Sequence, residues 1–171
     1  MAESEPIVLR DGTRLLVDPL SPEDREELRE GIEHLSPASR YRRFFTPVTD
    51  VSSQQLAYLT TLDHDQHEAL AAVDPGTGRG VAVARYVLVG DTPPTAEVAL
   101  AVFDEWQGRG VGRALLHRLA ALAHSRGIVR FTGMMLADNT AMIRLMRSLG
   151  NVVSTHRGSG TTELVVEIDP D

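Results

Sequence analysis

Two periods of apolar residues divide this chain: short runs of the strand type, and longer stretches in which apolar positions recur every three or four residues, the helix type. From about Ile7 to Val17, IVL and LLV flank the turn residues Asp11 and Gly12, which predicts a strand hairpin. Ser21, Pro22 and Asp24 then supply an N-cap, a first-turn proline and a capping-box partner for a helix with Leu28, Ile32 and Leu35 on one face. Ser36 and Pro37 open a second helix that carries Arg40, Tyr41, Arg42, Arg43, Phe44 and Phe45, and Ser52 or Ser53 caps a third through Leu56 and Leu59. Ala69 to Val73 and Val81 to Val89 read as strands around the turn DPGTGRG, and Asp91 to Pro94 as a further turn.

The stretch from Glu97 to Gly112 organises the rest. The apolar strand AEVALAVF leads through DEW into QGRGVG, and a helix from about Gly110 to Arg126 follows, with Val111, Leu115, Leu119 and Leu122 inward and Gly127 as its stop. Gly108, Gly110 and Gly112 allow a tight turn that leaves main-chain N–H groups uncovered, Val111 among them, where the helix dipole is positive. Such a turn can hold a diphosphate, with Gln107, Arg109 and Arg113 as side-chain donors at the rim; glycines can equally serve only to make the turn. Two other phosphate loops are excluded by spacing. GxGxxG would need glycine where Arg113 stands, and a Walker loop needs a lysine, of which the chain has none. Val129 to Met135 then reads as a strand returning beside the first. Asp138 or Asn139 caps a helix with Met142, Leu145, Met146 and Leu149 inward, Gly150 stops it, and Val152 to Thr155 and Thr162 to Ile168 end the chain as strands. The order describes a mixed sheet covered by helices.

Composition narrows this picture. The 171 residues fit one domain, 1–171, able to bury about two-thirds of its unfolded surface. No cysteine is present, which removes disulfides, thiolate catalysis and cysteine zinc sites. The acidic start MAESEPIV and the lack of any run near the ~20 apolar residues of a membrane span lead to the expectation of a cytoplasmic protein without membrane contact. A formal net charge of −7 argues against nucleic acid as a partner and suits a cationic acceptor. All 17 basic residues are arginine, so the only amine of the chain is its N-terminus. The run Asp63, His64, Asp65, Gln66, His67 and Glu68 invites a metal reading, but adjacent strand positions point to opposite faces and the run is not read as a helix, so capping and loop hydrogen bonds are the expectation; no metal is expected. No pattern sets an oligomeric state.

QGRGVG after a strand resembles the acetyl-CoA signature Q/RxxGxG/A of the GNAT superfamily of N-acetyltransferases, with Gln107, Gly110 and Gly112 on the signature positions. Asn139, Met142, Leu145 and Gly150 fall at the spacing of its later NxxAxxLYxxxGF segment. The segments LSPASRYRRFF, LTTLDHDQHEALAAVDPGTGRGVAVARYV and AEVALAVFDEWQGRGVG are similar to the GNAT domain of bacterial Pat-type protein lysine acetyltransferases. The resemblance implies the GNAT fold: a central, mostly antiparallel sheet with one splayed parallel pair, flanked by helices. It also implies acetyl-CoA as co-substrate, its pantetheine along the strand edge Leu100, Ala101 and Val102, and its phosphates at Gln107 through Arg113, with Asn139 contributing.

Transfer of acetyl to a lysine requires a neutral amine, and an unperturbed lysine is neutral in only about one molecule in 2,500 at pH 7, a cost of about 4.6 kcal/mol. A base must take the proton. Glu97 shares a strand face with Ala99, Ala101 and Phe103, small or apolar neighbours that would leave a cavity and raise a carboxyl's pKa; a strand-end charge in water is the other reading. The resemblance to Pat-type enzymes implies that Glu97 is the general base. One departure matters: where many relatives carry a tyrosine that protonates the leaving thiolate, this chain has Met146, leaving Tyr41, Tyr58 and Tyr86 as its tyrosines. Three expectations stand: acetylation of protein lysines, acetylation of a small amine, or an acyl-CoA sensor without catalysis. Larger Pat-type proteins carry a further regulatory or ligase-like domain, for which 171 residues are expected to leave no room.

Overall fold

The computed structural model describes residues 5–45 and 50–169, so the first residues of the acidic start, with their amine, lie outside the described residues. The expected N-terminal hairpin is β1 (Glu5–Val8) and β2 (Arg14–Pro19). A 3₁₀ turn over Pro22–Asp24, closed by the Ser21–Asp24 capping box, leads into α1 (Arg25–His34). Proline at the first helical position and the Ser36 hydroxyl, which accepts from the Ser39 N–H, start α2 (Pro37–Phe44), and Ser52 caps α3 (Ser53–Thr60) in the same way. Then come β3 (His67–Asp74), β4 (Arg79–Asp91), β5 (Pro94–Val102), α4 (Val111–Ser125), β6 (Arg130–Leu136), α5 (Thr140–Arg147), β7 (Gly150–Gly158) and β8 (Thr161–Ile168).

The eight strands form one sheet in the order β1-β2-β3-β4-β5-β6-β8-β7. Every neighbouring pair is antiparallel except β5 and β6, which the α4 crossover makes parallel. That parallel pairing covers only Thr95↔Arg130, Ala96↔Phe131 and Glu97↔Thr132. Past Glu97 the two strands part, β6 staying with β8 and β5 with β4.

Register assigns each residue to a face. Leu100 and Val102 point toward α4, where a Cβ added at Gly112 would come within 3.0 Å of Leu100 and 3.5 Å of Val102. The main core lies on this side: Leu115, Leu116, Leu119 and Ala123 of α4 are fully buried with Tyr86, Ala84 and Val98 of the sheet. Each such leucine contributes about 1.5–3 kcal/mol relative to exposure. On the opposite face Glu97, Ala99 and Ala101 stand in register with Val87, Arg85 and Val83, and α1 and α2 cross it. A smaller apolar cluster of Ile32, Val51 and Leu56, with Leu28, Phe44 and Leu59 against it, joins α1, α2 and α3.

Two boundaries differ from the sequence expectation. The first α-helix begins only after the 3₁₀ turn, because the proline and capping box tighten that turn. Gly150 opens β7 rather than stopping a helix: α5 ends at Arg147, and Gly150, at φ 154°, passes so close to the Glu167 carbonyl that no Cβ would fit.

Candidate active site

Where β5 and β6 part, a cleft of about 1070 Å³ opens, with Glu97 at its apex and the turn after β5 at its other end. The Phe103 N–H bonds back to Val81 of β4, so strand alternation turns the polar groups of Val102 and Leu100 out to the cleft. One of these is already used: the Val102 carbonyl accepts from Gln107 Nε2 at 2.9 Å.

At the far end Gly108 and Gly110 have φ of 72° and 89°, the left-handed conformation that glycine tolerates without strain. Among the described residues, the main-chain N–H groups of Gly108, Arg109, Gly110, Val111, Gly112 and Arg113 donate to nothing in the chain; the first helical bond here runs from Ala114 to the Gly110 carbonyl. This row of free donors at a helix N-terminus is a site for an anion.

Two of the three expected rim side chains are engaged within the chain. Gln107 Nε2 also reaches Ser39 Oγ at 3.2 Å and Asp104 Oδ1 at 3.4 Å, tying the turn to α2. Arg109 stacks over Trp106 at 4.3 Å and donates to Asp11 Oδ2 and Thr13 Oγ1, both at 2.9 Å, which fixes the turn against the β1–β2 hairpin. Hydrogen bonds from Thr13 and, after them, Arg109 pull the Asp11 carboxyl down to about 2. Arg113 lines the cleft with its side chain exposed. Asn139 caps α5, its Oδ1 accepting from the Met142 N–H at 3.2 Å, at the edge of the cleft. His117, which belongs to no motif, also lines the cleft; Ser148 Oγ lies 2.9 Å from its Nε2, and burial, then Arg113, lowers its pKa.

Glu97 is exposed, and its surroundings are not the apolar ones expected of it: Arg42 and Arg43 of α2 stand in the same cleft. Alternation alone could not foresee this, because α2 lies more than 50 residues earlier in the chain. Half-buried Arg43 packs its guanidinium over Phe44 at 4.8 Å; burial weakens its hold on its proton, and the Glu97 carboxylate opposes that. Behind it Arg85 is held by the Leu59 carbonyl at 3.1 Å and His67 Nε2 at 3.2 Å. Burial, with Arg43 second, brings Arg85 down to about 10. An arginine can only donate, so His67 Nε2 is the acceptor and the imidazole is neutral; burial, then Arg85, lowers its pKa.

The rest of the polar run makes hydrogen bonds. Asp63 Oδ1 accepts from the N–H groups of Asp65 and His67, and buried Glu68 binds Arg126 Nη1 and His64 Nδ1, each at 2.9 Å. None of the three tyrosines lines the cleft: Tyr86 is buried on the α4 face, donating to the Asp65 carbonyl, and Tyr41 and Tyr58 are exposed elsewhere. Met146 is fully buried against Gly133.

A sheet that parts over a cleft, and free amides where the next helix begins, define a class. The chain belongs to the acetyltransferase (GNAT) family, whose model matches residues 30–150. It is 35% identical over 147 residues to acetyltransferase Pat of Mycolicibacterium smegmatis, covering 86% of this chain and 44% of that protein, so it spans less than half of that relative. It is 34% identical over 146 residues to acetyltransferase PA5475 of Pseudomonas aeruginosa, covering 84% of this chain and 78% of that one. Among solved structures, the GNAT domain of S. lividans PAT superposes with a TM-score of 0.87 at 34% identity, over 96% of this chain and 97% of that one.

Proposed function

We propose that this chain transfers the acetyl group of acetyl-CoA to a primary amine, the side chain of a protein lysine, with Glu97 as general base. One observation carries the proposal: the free amides of Gly108 to Arg113 and the carboxylate of Glu97 occupy the two ends of one cleft. The amides suit a diphosphate, the outward polar groups of Leu100 suit an extended amide-bearing arm beside β5, and Arg113 and Asn139 are available at the rim. Because Gln107 and Arg109 are held within the chain, their part is to fix the turn while their neighbours' N–H groups face the anion.

Bound acetyl-CoA supplies an activated acyl group as a thioester. At the apex the Glu97 carboxylate takes a proton from the acceptor ammonium, directly or through water, which frees the nitrogen lone pair for the carbonyl carbon. The N–C bond forms as the C–S bond breaks, and the sulfur leaves as a thiolate. With no tyrosine in the cleft among the described residues, the sulfur can leave unprotonated, and the second proton that the nitrogen sheds on becoming an amide reaches the thiolate through water. No helix among the described residues is long and apolar enough to cross a membrane, and the supply of acetyl-CoA inside cells supports the cytoplasm as the site of action.

Thiol release with acetyl-CoA and lysine peptides tests the reading. Glu97→Gln should lower kcat/KM about 10²- to 10⁴-fold while acetyl-CoA binding persists. An unchanged rate in that variant removes Glu97 from the mechanism.

A further inference from the structure

Helix α2 spans the cleft from one end to the other. Its first turn is pinned at the phosphate end by Asp104, which accepts from the Ser36 N–H at 2.9 Å, Ser36 Oγ at 3.0 Å and Ser39 Oγ at 2.6 Å. Its last turn brings Arg42 and Arg43 into the cleft, where Arg43 lies within the field of Glu97. The charges are divided accordingly. Arg113 stands at the start of α4 beside the free amides, Arg144 of α5 and Arg10 line the same cleft, and Arg109 is already matched by Asp11. Toward Glu97 the guanidinium of Arg43 lies in the field of that carboxylate with the buried cation of Arg85 behind it, and Arg42 lines the same cleft. Neither Arg42 nor Arg43 has a carboxylate within ion-pair distance among the described residues.

The two arginines differ in reach. Arg43 is half-buried on the Phe44 ring, whereas Arg42 is exposed at the mouth of the cleft. A surplus of positive charge beside the base favours the neutral form of an arriving amine, as the reaction needs, and repels one that comes with further cations. A carboxylate carried next to the amine would find a free guanidinium fork, the group best matched to it.

We propose that the acceptor is an amine with a carboxylate beside it: a lysine in an exposed protein segment flanked by Asp or Glu, whose acidic neighbour pairs with Arg42 while the amine reaches Glu97. This rests on the reading of the chain as an acetyltransferase with Glu97 as base. It makes Arg42 a residue of specificity, and it gives the cleft a preference opposite to the attraction for cations implied by the net charge of −7.

The test compares kcat/KM for three peptides of one length, each with a single lysine flanked by glutamate, glutamine or arginine, by thiol release at low and high salt. The acidic peptide should lead the basic one by about tenfold at low salt and lose most of that lead near 0.5 M salt. Arg42→Gln should erase the ratio and Arg42→Lys retain part of it; because the readout is a ratio, a general loss of activity in a variant cancels. Equal rates, a lead for the basic peptide, or a lead that survives Arg42→Gln overturns the proposal. A further arm uses free glutamate and its dimethyl ester. If no peptide reacts but glutamate is acetylated far faster than its ester, the protein-lysine reading falls and recognition of a carboxylate stands. Peptides acetylated without regard to flanks leave the lysine reading standing and sink this one, and the absence of thiol release with every acceptor sinks both.

Discussion

His67 faces two requirements at once, as the buried acceptor for Arg85 Nη1 and as a ring tilted against Tyr58 at 5.1 Å between centroids. Protonation would turn its Nε2 into a donor facing a donor. The sign of the pH effect follows. Its folded pKa lies below 6.5, so on acidification the unfolded chain takes up the proton first. Stability from this group is fully present above pH 6.5, falls as the pH drops below that value, and stops falling once the lowered folded pKa is passed. Thermal melts of wild type and His67→Gln between pH 7.5 and 5 should diverge, with wild type losing more, because the glutamine carbonyl accepts from Arg85 without titrating. Parallel curves would remove His67 from the acid response. Loss of the Arg85 anchor would also be felt at Arg43 and Glu97, so activity should fall over the same interval.

The turn from β5 into α4 depends on backbone shape more than on side chains. At Gly110, with φ of 89°, a Cβ would meet nothing within 4 Å, yet the conformation itself costs a side chain about 1–2 kcal/mol. Gly127, at the other end of α4, has φ of 84° and equally open space. Gly110→Ala and Gly127→Ala should therefore lose similar stability, about 1 kcal/mol each, while only Gly110→Ala raises the KM for acetyl-CoA, several-fold or more. Equal KM values would mean that the shape of the turn does not matter to binding. Gly112 belongs to a different case: the limit there is space, since its Cβ would sit 3.0 Å from Leu100 Cδ2, 3.4 Å from Leu145 Cδ1 and 3.5 Å from Val102 Cγ2, and those side chains would have to give way. At α2 the predicted cap is present, and Ser36→Ala should cost about 1 kcal/mol in a thermal melt by freeing the Ser39 N–H and removing one of the bonds to Asp104, which keeps the Ser36 N–H and Ser39 Oγ.

At the scale of the molecule, a chain of net charge −7 gathers Arg42, Arg43, Arg113 and Arg144 around one cleft. Acetyl-CoA at a hundredfold excess over its Kd should stabilise the protein by about 2.7 kcal/mol, roughly 5–10 °C in Tm at this size. Added salt should reduce the shift. No shift at any concentration would contradict the assignment of the cleft. Most of the architecture was legible in advance because it is written locally: the Ser36–Pro37 start, the Ser21–Asp24 box, the inward spacing of Leu115 and Leu119, and the glycines after β5 each act within a few residues. The sequence by itself determined the order of elements and the turn with its free amides. The place where β5 and β6 part, the position of Glu97 at the last paired register, the arginines of α2 beside it and the burial of Met146 were decided only when distant segments packed. The physical reason is that propensity, capping and periodicity depend on neighbours in the chain, whereas a group's charge surroundings depend on neighbours in space.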